Sequence, residues 1–152
     1  MFSLFKKKPL LDKQAQQKIE ACIHEAESKT SGEIRVYMEG KCKHTDPLER
    51  AKEVFAQLEM YKTEARNAIL VYVALEDKKF ALFGDKIIYE KAGGPQFWEK
   101  AAAQLTGHLK KNEITEGLSN CILQLGEALS VQFPANPASK SNELSDEIVF
   151  GK

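Results

Sequence analysis

The sequence predicts an α/β fold, a three-layer α/β/α sandwich, and two observations support it. Residues 68–74, AILVYVA, form an apolar run rich in β-branched residues and free of charge, which is typical of a strand covered on both faces. Amphipathic helical patterns precede and follow this run, so helices are available to cover each face of a sheet.

The first two predicted elements are a helix and a half-buried strand. Asp12 is a suitable N-cap for a helix that continues to about Ser28, and its apolar positions recur at helical spacing. From Glu33 to Glu39, apolar and polar residues then alternate, which predicts a strand with one face in the core. The apolar positions of the helix are Ile19, Cys22, Ile23 and Ala26, and those of the strand are Ile34, Val36 and Met38.

The middle of the chain predicts a helix followed by a hairpin. Asp46-Pro47 supplies an N-cap and a proline at the first helical position. Residues 68–74 and 80–84 are two strand-like runs joined by the short turn LEDKK, which predicts antiparallel pairing. Residues 87–91 fit either a short strand or the entry to a helix. Two further helices are predicted, one from Pro95 and one around residues 118–129.

We divide the chain into a flexible basic arm (residues 1–11), one folded domain (12–132) and a polar, proline-punctuated tail (133–152). A chain of 152 residues can bury one core without disulfide or metal support. Lys plus Arg and Asp plus Glu both number 22, so the broad basic surface that nucleic acid requires is not expected. The chain has three cysteines, which cannot all pair, and its pattern shows no signal peptide and no membrane span. We therefore expect a cytoplasmic protein.

Polar residues bracket the strands at what the sequence predicts to be one edge of the sheet. The segment between residues 39 and 68 is long enough for a crossover, so the first two strands are expected to run parallel. Glu33, Arg66-Asn67 and Asp85 would then meet at the same edge. Their oxygens are hard ligands of the kind that Ca²⁺ or Mg²⁺ prefers, and Glu113, in the loop before the last helix, could add another.

Arg66 has two interpretations at this edge. It could hold a phosphate or balance the carboxylates. The alternative is structural: a salt bridge from Arg66 to Glu33 or Asp85 that ties the strand ends together.

The opposite edge of the sheet offers a second set of polar residues. Ligands of open α/β sheets usually lie beyond the carboxyl ends of parallel strands. Cys42 and His44 resemble half of a zinc site, but a second pair at suitable spacing is missing, so a solvated loop is expected there. The residues at this edge are Glu39, Cys42, His44, Asp46, Glu76 and Asp77.

Several ordered motifs resemble the TPM domain family, and more narrowly its small, soluble Bacteroidetes-type branch. They are SGEIRVYME (residues 31–39), the long segment 46–86, Phe97-Trp98, and the tail NELSDEIVFGK (142–152). The resemblance implies a mixed, about four-stranded sheet, binding of a divalent metal such as calcium, and a weak acid phosphatase activity proposed for plant relatives. Many relatives carry glycine where this chain has Ala68 and Ile87. A side chain at these positions restricts the close approach of a phosphate or hydrated metal to the backbone, so the resemblance supports phosphatase activity less well than it supports the fold.

We therefore expect a non-enzymatic binding or regulatory module that binds calcium and acts through a protein partner, with a membrane-associated partner as one option. The alternative is a weak metal-dependent phosphomonoesterase. That activity needs an activated water or nucleophile beside a phosphate clamp. The sequence offers Arg66 as a clamp and supplies no convincing nucleophile or base.

Overall fold

The computed structural model describes residues 10–91, 95–135 and 146–151. It confirms an α/β/α architecture in which a mixed four-stranded sheet is flanked by helices. The segment 86–91, which the sequence left undecided, is a helix. The elements are α1 (Lys13–Glu27), β1 (Glu33–Glu39), α2 (Pro47–Gln57), a 3₁₀ turn (Met60–Lys62), β2 (Ala68–Ala74), β3 (Lys79–Gly84), α3 (Lys86–Lys91), α4 (Pro95–Lys110), α5 (Ile114–Gln132) and β4 (Val149–Phe150).

The first two helices begin at the residues that the capping pattern predicts. The Asp12 carboxylate accepts a hydrogen bond from the Ala15 backbone N–H at 2.8 Å, and Asp46 accepts one from Leu48 N–H at 3.0 Å. Each bond satisfies a backbone donor that the first helical turn leaves without a partner. Local sequence chemistry therefore fixes both helix starts.

The sheet has the strand order β3-β2-β1-β4. β1 and β2 are parallel, in a register that pairs Glu33 with Ala68, which confirms the predicted crossover. β2 and β3 form the antiparallel hairpin. β4 pairs with β1 in parallel through two residues, and the sequence analysis did not predict this strand because two residues are too few to show a period.

Two hydrophobic cores lie on the two faces of the sheet. All seven residues of β2 are buried, as expected for a central strand covered on both faces. Burying each large aliphatic side chain contributes about 1.5–3 kcal/mol to folding. One face packs against α1, α4 and α5 through Ile34, Val36, Met38, Ile69, Val71 and Val73; the other packs against α2 through Tyr37, Leu70 and Tyr72.

The two ends of the predicted domain fall largely outside the described residues. Of the predicted arm, only Leu10 and Leu11 are described, and Leu11 is 9% exposed. Of the predicted tail, residues 133–135 and 146–151 are described, and Ile148 is buried there at 7% exposure. No helix within the described ranges combines the length and apolarity that crossing a membrane requires.

Candidate functional site

The starts of β1 and β2 and the end of β3 meet at one edge of the sheet, as the sequence analysis predicted. Glu33 pairs with Ala68 across β1 and β2, and the Asp85 backbone N–H donates to the Ala68 carbonyl at 2.9 Å. Glu33 and Asp85 therefore flank Ala68 in one row, and both are 4% exposed. Paired residues of a sheet share a face, so the two carboxylates point to the same side over the small Ala68 methyl.

Arg66 and Asp85 form a two-point salt bridge at this edge. Arg66 Nε donates to Asp85 Oδ2 at 2.7 Å, and Arg66 Nη2 donates to Asp85 Oδ1 at 2.8 Å. Arg66 has a backbone φ of 52°, a left-handed conformation that turns the chain just before β2. These hydrogen bonds raise the pKa of the guanidinium. The pair ties the start of β2 to the end of β3, which is the structural role named as the alternative for Arg66.

Asn67 is the most deeply buried polar residue of the predicted set. It is 0% exposed, and neither its Oδ1 nor its Nδ2 atom has a hydrogen-bond partner among the described residues. Its backbone carbonyl accepts from Glu33 N–H at 3.4 Å. Successive residues of a strand point to opposite faces, so the Asn67 side chain lies on the other face of the sheet from Ala68 and Asp85. One ion could therefore contact both Asn67 and Asp85 only at the open end of the sheet, beyond the point where the strands begin.

The structure adds two carboxylates to this edge, Glu27 and Asp146, that were not predicted from the sequence. Glu27, the last residue of α1, is 9% exposed and accepts a hydrogen bond from Ile34 N–H at 2.8 Å. The pKa of Glu27 is raised to about 10, mainly by burial and in addition by a hydrogen bond to Asp146 and by the charges of Glu33 and Asp146. Glu27 lies four residues after Ile23, on the buried stripe of the helix, and this spacing was the sequence signal that could have predicted its burial.

Glu113 does not join the other predicted ligands, which corrects its assignment to this edge. α5 begins near the end of β2, where Asn112 and Ile114 share a small cavity with Ala74. The helix ends near the start of β1, where Ser31 N–H bonds the Phe133 carbonyl at 2.9 Å. Its 19 residues span about 28 Å, because each residue of an α-helix rises about 1.5 Å.

Glu113 instead lies beside His108 and Glu116. His108 Nδ1 is 3.0 Å from Glu113 Oε1. Among the described residues, these three form the one group of His, Cys, Asp or Glu whose ligand atoms all lie within 4.8 Å of one another. The two carboxylates occupy the start of α5 and the histidine the last turn of α4, positions that helix dipoles favour without any metal.

The opposite edge contains a buried polar network rather than an open ligand set. Arg50 donates to both oxygens of Glu39 at 2.9 and 3.0 Å, and the Tyr72 hydroxyl donates to Glu39 Oε2. Glu39 is 2% and Arg50 6% exposed. Burial raises the pKa of Glu39, but the hydrogen bonds from Arg50 and Tyr72 outweigh it, so that the pKa is lowered.

The Cys42 thiol donates to the His44 carbonyl at 3.2 Å, and each of the two residues has a further partner at this edge. Cys42 N–H donates to Asp77 Oδ2 at 2.7 Å, and His44 Nε2 is 2.8 Å from Glu53 Oε2. The Glu76 side chain packs against Gly40, where an added Cβ would lie 2.0 Å from Glu76 Oε2. Arg50 and Tyr72 were not among the residues predicted for this edge, because an arginine in a helix and a tyrosine in a strand carry no signal of mutual contact.

Comparisons with known proteins agree with this architecture. A family model described as the TPM domain matches residues 5–128. The NMR structure of the BA42 protein from the psychrophilic bacterium Bizionia argentinensis is 34% identical, with a TM-score of 0.87 over 97% of this chain and 99% of that one. The N-terminal domain of cg2496 from Corynebacterium glutamicum, at 11% identity and a TM-score of 0.63, covers 90% of this chain and 84% of that chain and shows the fold alone. No curated protein matches.

Proposed function

Because the chain belongs to the TPM domain family, we propose that it is a non-enzymatic binding module that holds a calcium ion where β1 and β2 begin. The observation that carries this proposal is the concentration of carboxylates there. Burial, a hydrogen bond to Asp146 and the nearby charges of Glu33 and Asp146 together raise the pKa of Glu27 to about 10. A divalent cation would offset this repulsion and lower that pKa, because a positive charge favours the ionised form.

The donors at the open end of the sheet suit calcium chemically. Glu33 and Asp85 supply carboxylates and Asn67 an amide oxygen that is buried and otherwise unsatisfied. Leaving a buried amide without a partner costs about 1–3 kcal/mol, which coordination or an ordered water would recover. Calcium accepts six to eight oxygens in irregular geometry, whereas magnesium requires a near-octahedral set, so the donors favour calcium.

The charge balance predicts weak binding. Arg66 already neutralises Asp85 through two hydrogen bonds, which reduces the net negative charge that the predicted ligands offer to a cation. Calcium sites with few charged ligands have dissociation constants on the order of 10⁻⁴ M or weaker. Glu113 is excluded from this site by its position at the other end of α5.

The proposed role is regulatory. The module binds a protein partner in the cytoplasm, and this partner is either soluble or associated with a membrane. Cys22, Cys42 and Cys121 are all free, as a reducing compartment favours. The phosphatase alternative is weaker on this geometry. Both Arg66 nitrogens that would clamp a phosphate are bonded to Asp85, so phosphate would have to displace that carboxylate.

A backbone amide NMR titration with Ca²⁺, Mg²⁺ and inorganic phosphate tests the proposal. We expect calcium to shift the amides of Glu33, Asn67 and Asp85, and the variant Glu33→Gln to weaken that response by about tenfold. The matched variant Glu76→Gln, at the other edge, should respond as the wild type does.

Three results would contradict the proposal. Calcium shifts confined to residues 42–46 and 76–77 would move the site to the opposite edge, and shifts confined to residues 108–116 would move it to the α4–α5 turn. Turnover of p-nitrophenyl phosphate that Arg66→Lys abolishes would show that the module is an enzyme.

A further inference from the structure

The outer side of β3 is an unpaired strand edge. β3 is the terminal strand of the sheet, and within the described residues its outer side pairs with no strand. Asp85 N–H donates to Ala68 on β2, so alternation directs the backbone groups of Phe83 and Ala81 inward as well. The N–H and C=O groups of Phe80, Leu82 and Gly84 therefore point outward. This periodic row of donors and acceptors matches an extended backbone.

A groove of about 740 Å³ runs along this edge. β3 forms its floor, the first two turns of α2 form one wall, and α3 with α4 forms the other. Its lining is mainly apolar and aromatic, and the charged residues at its rim carry both signs. The wall residues include Pro47, Leu48, Tyr89, Trp98 and Ala102, and the rim residues include Asp46, Lys52, Lys86 and Glu99.

β3 carries few of the features that normally protect an edge from pairing. Proteins usually block such edges with proline, bulges, inward-pointing charges or a covering element. The sequence of β3, KFALFG, contains no proline, and each of its residues has a partner in unbroken register on β2. Its one charge is Lys79 at the start. Phe80, Leu82 and Phe83 are only half buried, so apolar area remains for a ligand to cover.

We propose that this groove binds an extended segment of a partner protein, which adds to β3 as a fifth strand. The segment would place its backbone against Phe80, Leu82 and Gly84, and its apolar side chains would alternate between the two helical walls. The walls recess the edge, so a single strand fits between them. A second copy of this chain would bring its own α2 and α4 against them. The inference rests on the proposed binding role but does not depend on calcium.

The test uses a library of random linear peptides displayed on phage. Peptides are selected on the full-length protein and counter-selected against Leu82→Pro, which removes one outward N–H that the hairpin does not use. A recovered peptide is then synthesised in two forms, N-methylated on one or the other set of alternate residues. Pairing with β3 uses only one of these sets, so one form should lose binding by at least about tenfold while the other retains it.

Two readouts locate the peptide. Hydrogen exchange should slow at the amides of Phe80, Leu82 and Gly84 and remain unchanged at Ala81 and Phe83, which β2 already protects. The fluorescence of Trp98, the single tryptophan of the chain, should change because its ring lines the groove. The control Val131→Lys lies at a 76% exposed position on α5 and should bind as the wild type does.

Several results would overturn the inference. They are failure to recover any binder, equal binding of both N-methylated forms, or protection at other residues. Protection of the same three amides that rises with protein concentration alone would assign the edge to a second copy. If Leu82→Pro does not fold, the two N-methylated peptides still decide the question on the wild type. Repeating the measurement with a chelator separates this result from the calcium proposal, because peptide binding should persist without calcium.

Discussion

Replacing Glu27 by glutamine should remove a large pH dependence of stability. In the unfolded chain this carboxyl ionises near pH 4.5, whereas in the folded protein its pKa is raised to about 10. Between these values folding takes up a proton, so the free energy of unfolding falls as the pH rises. The stability that this group contributes is complete below pH 4.5 and is lost as the pH rises through the folded value.

The size of the effect follows from the difference between the two pKa values. Each pKa unit corresponds to about 1.4 kcal/mol. At pH 7 the wild type has lost about 3 kcal/mol relative to pH 4.5, which is a large part of the 5–15 kcal/mol typical of a domain. Glutamine can still accept the Ile34 N–H bond and can donate to Asp146, so Glu27→Gln should be more stable by up to about 3 kcal/mol at pH 7.

Urea denaturation with a chelator present, followed by tryptophan fluorescence from about pH 5 to pH 8, measures this difference. The control Glu25→Gln changes an exposed neighbour on the same helix and should follow the wild type. Parallel pH profiles of Glu27→Gln and the wild type would refute the reasoning, because they would mean that Glu27 is ionised in the folded protein.

The other predictions concern two contacts in the interior. Arg50→Met should reduce the free energy of unfolding by about 3–5 kcal/mol, because it leaves the Glu39 carboxylate buried without its cation. The double variant with Glu39→Gln should recover part of that loss. If the single variant unfolds in urea as the wild type does, the prediction is wrong. Gly126→Ala should lower the melting temperature, since its new Cβ would lie 2.6 Å from Ala26 Cβ, at a cost of about 1–3 kcal/mol. Gly107→Ala, where a Cβ meets nothing within 4 Å, should instead raise it by helix propensity alone, and equal shifts for both glycines would be inconsistent with a close α1–α5 contact.

Sequence reasoning predicted the fold well because the relevant signals are local or periodic. Asp12 and Asp46 cap the helices that they precede, and the uncharged run 68–74 is the central buried strand. The length of the segment before that run gave the parallel crossover. β4 escaped prediction because its two residues pair with a strand more than a hundred positions away.

The candidate site was predicted only in part, for a related reason. Glu33, Arg66, Asn67 and Asp85 could be brought together from strand direction alone. Asp146 could not, because nothing in its own segment indicates a contact with α1. Glu113 was assigned to the wrong end because the direction of α5 over the sheet depends on tertiary packing.

The sequence by itself determined the layers, the starts of α1 and α2, the hairpin and the edge at which strand ends meet. Each of these follows from neighbouring residues or from a regular period. Only the tertiary structure decided which polar side chains meet, as Glu39 with Arg50 in the interior and Glu27 with Asp146 at its margin. Burial and pairing depend on side chains far apart in the chain that share a small, poorly hydrated volume, and no local pattern encodes that proximity.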